Sequence, residues 1–523
     1  MNVRCLVNRA GREYPDNTAV VYRDTRRTFS ELSTRINQLA NGLLQMGIRK
    51  GDRVGMLLKN CCEFIEVDFA LSKTGMVRVP LNARLIGSNH EYMLNDSESN
   101  TLIFHEGFTE TVQAIKPNLK TVNHFIRVEE GLSEENVLDA IDYEGLIEGS
   151  PSDEPFGEIH EKDLHTLFYT SGTTGDPKGV MLTQKSWASV AITLVMDYGP
   201  ITEDDVLLNL QPLSHGAGFF VLPFFLKGAT NVLVPGFDPS VIFQTIEQEK
   251  VTVLKLVPTM LYQLLEAHEK TQYDLSSLHS IIYGGSPISR SRLIEAVQFF
   301  GKKLVQLYGQ AEAPMCISTL SKRDHIIDGP DEAVRRLSSA GKPCTNVEVR
   351  IVDENRKDVP VGEVGEVIAR GFHLMKGYWN LPEATAEVLK DGWVYTGDLG
   401  YFDSKEYIFL VDRKKDMIIS GGFNIYPKEI EDVISAHPKV KEVAVIGVPD
   451  DKWGEAVKAV IVPKKGVQVT EQEIIEHCRE HMASLKKPKS VDIIEELPRN
   501  PYGKVLKTVL REPYWRGSSR RIH

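Results

Sequence analysis

Residues 168–182 read FYTSGTTGDPKGVML, a stretch of small, hydroxylated and turn-forming side chains between two apolar runs. Glycines let backbone N–H groups approach phosphate oxygens closely, and hydroxyl and ammonium groups add further donors. The candidate phosphate ligands are Thr170, Ser171, Gly172, Thr173, Thr174, Gly175 and Lys178. The pattern therefore predicts a phosphate-binding loop, with a flexible hairpin as the alternative interpretation.

This loop differs from the phosphate-binding loop of the common NTPases. The flanking runs LHTLFYT and VMLT are both typical of strands, so the loop joins strand to strand and not strand to helix. The spacing of its glycines and of Lys178 also does not match G-x-x-x-x-G-K-[ST]. The sequence therefore predicts phosphate binding of another kind.

Further motifs follow in a characteristic order: YGQAE at 308–312, YTGDLG at 395–400, DRKKDMIISGGFNIYPKEIE at 412–431 and PRNPYGKVLK at 498–507. With YTSGTTGDPKGV at 169–180, they resemble the adenylate-forming acyl-CoA synthetases in order and rough spacing, over nearly the whole chain. The resemblance implies that a carboxylate attacks the α-phosphorus of ATP, and that the thiol of CoA then attacks the resulting acyl-adenylate.

The resemblance implies roles for the YGQAE motif, which contains Tyr308, Gly309, Gln310, Ala311 and Glu312. Glu312 is expected to bind Mg²⁺, a cation that proteins hold through one or two carboxylates and substrate phosphates. Tyr308 is expected to lie against the adenine. Ala311 departs from the family pattern, which has Thr or Ser there, and so removes a hydroxyl near the α-phosphate.

Three more motifs complete the implied ATP site. Asp398 is expected to accept the ribose hydroxyls, with Arg413 beside it. The stretch IIYGGSPIS resembles the loop beside the adenine, contributing Gly284, Gly285, Ser286 and Pro287. Lys504 is expected to reach the carboxylate and the α-phosphate, where positive charge stabilises the reaction. Taken one at a time, each could be an ordinary turn or surface charge.

The segment DRKKD resembles the family's hinge, with Lys415 as the pivot. Rotation about it would move Lys504 out of the site and bring in residues expected to contact CoA, namely Ser420, Gly421, Gly422 and Trp453. Glycines suit a narrow passage because they let backbone approach a ligand closely.

The stretch QPLSHGAGFF resembles the segment that borders the acyl group, and it makes His215 a candidate catalytic residue. The expected acyl pocket comprises His215, Gly216, Ala217, Gly309, Met315 and Cys316. Small residues there favour a medium- or long-chain fatty acid, and an aromatic acid is the alternative. A non-catalytic nucleotide-binding regulator, a carrier-loading amino-acid activator and a luciferase-like oxygenase are further alternatives, the last two without supporting features.

Composition narrows the function classes. The formal net charge of −11 argues against nucleic acid as a partner, and six cysteines without C-x-x-C or histidine spacing support neither a zinc site nor a disulfide framework. No apolar stretch is long enough for a membrane span, and the start lacks a signal-peptide pattern, so we expect a cytoplasmic protein. A homodimer is compatible with these features.

The elements that must position these residues alternate between helix and strand. FSELSTRINQLANGLLQMG predicts a helix and DRVGMLL a strand, and the same rhythm recurs in the middle of the chain. We predict an α/β fold with a large N-terminal domain of helix-covered sheets plus a distorted β-barrel over 1–411. A hinge at 412–415 leads to a small, mobile α+β domain over 416–523.

Overall fold

The computed structural model describes residues 2–129, 137–170, 176–267, 273–499 and 505–516 of the 523-residue chain. The α-helices of these ranges are α1 (Val3–Glu13), α2 (Phe29–Gln45), α3 (Cys62–Thr74), α4 (Gly87–Asp96), α5 (Thr109–Ile115), α6 (Tyr143–Glu148), α7 (Gln184–Asp197), α8 (Gly218–Phe225), α9 (Pro239–Glu249), α10 (Pro258–Ala267), α11 (Arg290–Phe300), α12 (Asp331–Arg335), α13 (Pro382–Val388), α14 (Pro427–Ser435), α15 (Glu471–His481) and α16 (Lys507–Trp515).

The strands of the same ranges are β1 (Thr18–Tyr22), β2 (Thr25–Thr28), β3 (Arg53–Leu57), β4 (Val77–Pro80), β5 (Thr101–His105), β6 (His124–Val128), β7 (Ile141–Asp142), β8 (Leu164–Tyr169), β9 (Gly179–Thr183), β10 (Val206–Asn209), β11 (Thr230–Leu233), β12 (Val253–Leu256), β13 (Ser280–Gly284), β14 (Leu304–Gln310), β15 (Ala313–Leu320), β16 (Lys342–Pro343), β17 (Val347–Val352), β18 (Gly365–Gly371), β19 (Gly377–Tyr378), β20 (Leu389–Lys390), β21 (Trp393–Phe402), β22 (Ile408–Arg413), β23 (Ile418–Ser420), β24 (Phe423–Ile425), β25 (Val440–Asp450), β26 (Gly454–Pro463) and β27 (Ser490–Ile493).

Helix α2 shows how the sequence sets its own boundaries. Thr28 and Glu31 form a reciprocal capping box that satisfies two N-terminal N–H groups. The apolar side chains that recur along the helix are buried. Gly47, just beyond the last turn, has φ +90°, a conformation that a glycine adopts readily. The predicted helix is therefore confirmed, and it ends two residues before that glycine.

Two large sheets form the N-terminal body. Within the described residues, one has the strand order β16-β15-β14-β13-β12-β10-β11-β1-β2, and the other has the order β19-β9-β8-β4-β3-β5-β6-β7. The central strands of each are parallel, as βαβ connections require. Helices α1, α2, α3, α7 and α8 contribute to a core cluster that also contains residues of both sheets, so they lie between the sheets.

The outer faces of these sheets are covered by other helices. Helices α9, α10 and α11 pack on the first sheet, and α4 and α5 pack on the second. Alternation along a strand divides the side chains between layers, since Leu207 belongs to the central cluster and Leu208 to an outer one. Burial on both faces explains why the central strands are continuous apolar runs.

Two further sheets follow. Strands β17, β18, β20, β21 and β22 form an antiparallel sheet where we predicted a distorted barrel. Strands β23 to β27 form a mixed sheet with a separate apolar core that includes residues of α14 and α15. The α/β fold with a large N-terminal part and a smaller C-terminal part is thus confirmed. The boundaries at 411 and 416 stay predictions.

The described cysteines are free thiols, and five of the six are buried, Cys5 being the exposed one. Within the ranges that the structure describes, no helix combines the length and apolarity needed to cross a bilayer.

Candidate active site

The predicted phosphate-binding loop is closed at its base by two hydrogen bonds. Strands β8 and β9, which flank it, pair antiparallel. The Thr170 N–H donates to the Lys178 carbonyl oxygen over 3.0 Å, and the Lys178 N–H donates to Thr170 Oγ1 over 3.3 Å. The two ends of the loop are therefore held together. The loop residues Ser171, Gly172, Thr173, Thr174 and Gly175 lie outside the described residues.

Glu312 lies beside the base of this loop. Strand β19 pairs with β9 and so places Tyr378 next to the loop. The Tyr378 hydroxyl donates to Glu312 Oε1 over 2.6 Å, and Lys178 Nζ lies 5.1 Å from the centre of the Tyr378 ring. Tyr378 thus links the predicted metal carboxylate to the predicted phosphate lysine. Tyr378 was not predicted from the sequence, because its role depends on the pairing of two distant segments.

A second cluster joins Tyr308, Asp398 and Arg413. The Tyr308 hydroxyl donates to Asp398 Oδ2 over 2.6 Å, and Arg413 Nε lies 3.0 Å from Asp398 Oδ1. Burial and the Asp398 carboxylate raise the pKa of Tyr308, so its hydroxyl remains a donor. The same carboxylate raises the pKa of Arg413. One oxygen of Asp398 therefore accepts from Tyr308, the other is paired with the Arg413 guanidinium, and both retain lone-pair capacity for a further donor.

Sheet pairing sets Asp398 and Arg413 opposite each other. They are direct cross-strand partners in the antiparallel pairing of β21 with β22. Asp398 is 7% exposed and Arg413 is half-buried, so the carboxylate is held in low dielectric beside a cation. This geometry fixes one side of the candidate nucleotide site.

Glycines border the site where backbone segments come close. A Cβ on Gly284 would lie 2.4 Å from the Leu307 carbonyl oxygen, and one on Gly309 would lie 2.5 Å from the Met315 backbone nitrogen. Gly285 has φ +86°, beyond the carboxyl end of β13. Only glycine fits these positions without backbone movement. The neighbouring candidates Ser286, Pro287, Gln310 and Ala311 are at least partly exposed along the same edge.

His215 packs its ring against Phe168, with centroids 5.3 Å apart and planes 19° from parallel. Phe168 is the residue of β8 two positions before Thr170. Burial, together with the positive charges of Lys255 and Arg84, lowers the pKa of His215 to about 3. The imidazole is therefore neutral at physiological pH.

The other candidate acyl-pocket residues divide into two groups. Met315, which has φ +59°, is partly exposed, and its Cε lies 3.5 Å from where a Cβ on Gly216 would be. Ala217 and Cys316 are packed in the central core, with Cys316 Sγ 3.8 Å from the Val190 carbonyl oxygen. Met315 is adjacent to Cys316 in β15 and packs against the same central cluster that contains Cys316. Cys316 has no exposed surface, and its contact with the acid stays a prediction.

Lys255 is a functional candidate that sequence analysis did not single out. It lies on β12, and its Nζ donates to Gln211 Oε1. The Nζ also lies 3.4 Å from where a Cβ on Gly216 would be, so it is next to the His215 segment. The only signal available in the sequence was one lysine within the apolar run VTVLKLV.

The predicted hinge lies at the end of β22. Residues Lys414–Asp416 form a 3₁₀ turn, and Lys415 is exposed. Asp412 accepts the backbone N–H of Lys428 over 2.8 Å, and Lys414 pairs with Glu366 over 3.1 Å. From α16, Arg511 donates to the Lys415 carbonyl oxygen over 3.3 Å. The turn therefore has polar contacts with residues on both of its sides.

The predicted CoA-binding residues form a hairpin. Strands β23 and β24 pair through Ser420 and Phe423, and the turn residues Gly421 and Gly422 have φ +60° and +84°. The Gly421 N–H donates to the Trp453 carbonyl oxygen over 2.8 Å. Trp453 is 42% exposed, and Lys452 and Lys489 lie over its ring at 5.0 and 5.5 Å. An exposed aromatic ring between two cations suits a phosphate-bearing ligand.

The predicted catalytic lysine, Lys504, lies outside the described residues.

Comparison with known proteins identifies the family. Residues 7–379 match the AMP-binding enzyme family, and residues 429–504 match the AMP-binding enzyme C-terminal domain. Together these matches span most of the chain.

Relatives with names and known structures agree with this match. A feruloyl-CoA synthase of Amycolatopsis sp. is 40% identical over 514 residues, covering 97% of this chain and 98% of that protein. The medium/long-chain-fatty-acid–CoA ligase FadD8 of Mycobacterium tuberculosis is 36% identical, with 95% and 88% covered. The ATP-bound structure of MatB from Rhodopseudomonas palustris has a TM-score of 0.88 at 31% identity, with 98% and 99% covered. The chain therefore belongs to the AMP-binding enzyme family and is an adenylate-forming acyl-CoA ligase.

Proposed function

We propose that this ligase converts an aromatic carboxylic acid, such as an arylpropenoic acid, to its CoA thioester. The observation that carries the proposal is the 40% identity over 97% of the chain to a protein named feruloyl-CoA synthase. A medium- or long-chain fatty acid, favoured by the small residues near His215, is the second candidate. It is supported by the 36% identity to FadD8.

In the first half-reaction, the carboxylate of the acid attacks the α-phosphorus of ATP, and pyrophosphate leaves. Two unit charges 4 Å apart interact by about 4 kcal/mol at an effective dielectric of 20, so like charges must be compensated. We assign that compensation to Lys504 at the carboxylate and α-phosphate, and to Lys178 with the 170–175 loop at the outer phosphates. The rigid base of the loop at Thr170 supports this assignment.

Glu312 is the residue that would hold Mg²⁺. Its Oε1 accepts from Tyr378, and its Oε2 has no protein donor among the described residues. One carboxylate plus substrate phosphate oxygens is a donor set that Mg²⁺ accepts. The ion would neutralise phosphate charge, while the hydrogen bond from Tyr378 holds the Glu312 carboxylate in place.

Asp398, Arg413 and Tyr308 orient the nucleoside in this proposal. The Asp398 carboxylate is positioned by a hydrogen bond from Tyr308 and an ion pair with Arg413, and it accepts from the ribose hydroxyls with its remaining lone pairs. The ring of Tyr308 and the 284–287 loop lie against the adenine. Holding the nucleotide in one geometry is the main way that a protein accelerates phosphoryl chemistry.

In the second half-reaction, the CoA thiol attacks the carbonyl of the acyl-adenylate and AMP leaves. We propose that residues 416–523 rotate about Lys415 between the two steps and bring the Gly421 hairpin and Trp453 to the site. The polar, exposed character of Lys415 suits a pivot, since a change of its dihedral angles disturbs no core.

The test is a pyrophosphate-release assay with ATP, Mg²⁺ and a panel of aryl, arylpropenoic, fatty and amino acids, each with and without CoA. We expect release that depends on an aromatic acid, and AMP and acyl-CoA as products when CoA is present. Release with fatty acids alone would establish the second candidate. ADP as the nucleotide product, or no acid dependence in any arm, would contradict the proposed function.

A further inference from the structure

Lys255 is a partly buried cation in an unusual place. Strand β12 lies in the middle of the nine-stranded sheet, and its neighbours Val253, Leu254 and Leu256 are fully buried. Lys255 shares a face with Val253, which packs in the central core between the sheets. A charged side chain pointing into such a layer is costly unless another group compensates it.

No carboxylate supplies that compensation. Within the residues that the structure describes, Lys255 forms no ion pair, and its hydrogen-bond partner is the neutral amide of Gln211. The Gln211 side chain is itself buried, and its Nε2 lies 3.3 Å from Met260 Sδ. Burial lowers the pKa of Lys255 from 10.5 to about 8. A methionine or leucine would fill this position at a lower cost in stability.

The ammonium faces the candidate acyl pocket. A Cβ on Gly216 would lie 3.4 Å from Lys255 Nζ and 3.5 Å from Met315 Cε, so the ends of both side chains lie beside Gly216. His215, Lys255 and Met315 each retain accessible surface although their neighbours in sequence are buried. The three side chains therefore border internal space beside Gly216.

The sheet register gives the depth of this position. Lys255 is the partner of Ile282, which is the partner of Val305. Tyr308, on the nucleotide side, is three residues further along β14, which corresponds to about 10 Å along the strand direction. Ligands of parallel sheets bind at the carboxyl ends of the strands. Lys255 thus lies deeper in the sheet than the nucleotide, on the side where the remote end of an acid would extend.

We propose that Lys255, oriented by Gln211, is a specificity residue that donates a hydrogen bond to an oxygen on the ring of the acid, at the end remote from the reacting carboxylate. The substrate class is then a hydroxyaryl carboxylic acid. This inference rests on the proposed function and narrows it, because an unsubstituted alkyl or aryl tail would leave the ammonium with the Gln211 amide oxygen as its one hydrogen-bond acceptor among the described residues.

The test compares two acids that differ by one oxygen, 3-(4-hydroxyphenyl)propenoic acid and 3-phenylpropenoic acid. The kcat/KM for each is measured by pyrophosphate release in the wild type and in Lys255→Met. The wild type is expected to prefer the hydroxylated acid by about 10- to 100-fold, the range for a hydrogen bond to a charged group. Lys255→Met is expected to abolish this preference and leave the KM for ATP unchanged.

Two further arms make the result specific. For each variant, kcat/KM for the two acids is measured on one preparation. A smaller folded fraction then lowers both values equally and does not alter their ratio. Gln211→Leu, which removes the orienting amide but keeps the cation, is expected to reduce the preference in part. Assays with hexanoic acid and with adipic acid show whether Lys255 donates to a ring oxygen of the acid or to a second carboxylate.

The inference is overturned if the wild type treats the two propenoic acids alike, if Lys255→Met keeps the wild-type ratio, or if adipic acid is preferred to both. Loss of activity by the same factor for both acids would indicate a structural lysine. These outcomes differ from failure of the proposed function, in which no aromatic acid yields AMP with any variant.

Discussion

At the scale of single residues, the nucleotide side of the site depends on groups that hold each other in place. Tyr308 donates a hydrogen bond to one oxygen of Asp398, and Arg413 forms an ion pair with the other. Tyr378 donates a hydrogen bond to Glu312. Such contacts fix side-chain rotamers before a ligand arrives and reduce the ordering cost of binding.

Tyr308→Phe is expected to raise the KM for ATP by about 10-fold, because it removes a hydrogen bond to a carboxylate and leaves the ring in place. The KM for the acid should not change. Steady-state kinetics with each substrate varied in turn measures both effects.

Tyr401→Phe is the matched control. Tyr401 accepts from Arg335 over 2.9 Å and stacks on Phe409, three residues beyond Asp398 on β21 and without a hydrogen bond to that carboxylate among the described residues. An equal effect of both substitutions on the KM for ATP would contradict an orienting role for Tyr308.

Lys255→Met is expected to stabilise the protein at pH 7. The pKa of Lys255 falls from 10.5 in the unfolded chain to about 8 in the fold. Above pH 10.5 this lysine is neutral in both the folded and the unfolded chain, so it does not lower the stability of the fold. Between pH 10.5 and 8 the unfolded chain gains a proton that the folded chain does not, and below pH 8 the loss of stability is complete, at most about 3 kcal/mol.

Thermal unfolding of the wild type and of Lys255→Met at pH 7 and pH 10 measures this difference in stability. We expect the variant to have a Tm higher by roughly 2 °C at pH 7, and a smaller difference at pH 10. Lys465→Met, at an exposed position, serves as the control. A lower Tm for Lys255→Met at pH 7 would mean that the lysine stabilises the fold.

At the scale of elements, turns decide where side chains meet. The β23–β24 hairpin needs positive φ at both turn residues, which the pair Gly421 and Gly422 supplies. The same turn lets Gly421 touch the Trp453 ring, because a Cβ there would lie 2.4 Å from Trp453 Cε3. The backbone turn and the exposed aromatic ring are therefore one unit.

Gly421→Ala is expected to displace Trp453 and slow thioester formation from supplied acyl-adenylate by at least about 10-fold, equivalent to about 1.4 kcal/mol. Pyrophosphate release in the first step should stay near the wild-type rate. Gly466→Ala is the control, since Gly466 also has positive φ but open space around it. Equal loss in both half-reactions would argue against a CoA-specific role for this hairpin.

At the scale of the whole molecule, the proposed rotation of residues 416–523 requires that Lys504 and the Gly421 hairpin act in different steps. The Lys415 turn is contacted by Arg511 from α16, and Arg511 Nη2 also pairs with Asp416 over 2.5 Å. These contacts belong to the orientation that the C-terminal residues adopt in this structure. A rotated orientation has to release or rearrange them.

Lys504→Ala is expected to reduce adenylation by about 10²- to 10³-fold, the typical loss for one electrostatic contact to a transition state. Thioester formation from supplied acyl-adenylate should remain near the wild-type rate. Lys465→Ala, an exposed lysine in the same C-terminal region, should affect neither step.

Lys415→Pro is expected to have the opposite pattern, because proline fixes φ at a residue whose dihedral angles must change. Adenylation should persist and thioester formation should fall. Single-turnover measurements of the two half-reactions separate these effects. If Lys504→Ala and Lys415→Pro damage both steps equally, the two-orientation scheme is wrong.

Much of this protein was predictable from local patterns. The spacing of apolar residues predicted α2 and the parallel strands, and the five motifs predicted the family and the groups at Glu312 and Asp398. The choice of acid was not predictable in this way. The expected fatty acid and the aromatic alternative depend on what borders Gly216, and no motif reports that.

The sequence by itself determined which residues carry charge and hydroxyl groups, and which segments turn, because these depend on side-chain chemistry and short-range backbone preference. Only the tertiary structure decided that Tyr378 reaches Glu312, that Met315 and not Cys316 lies beside Gly216, and that Lys255 points into the layer between the sheets. The physical reason is that strand pairing and the alternation of faces bring together residues far apart in the chain, and a one-residue change of register would exchange the faces.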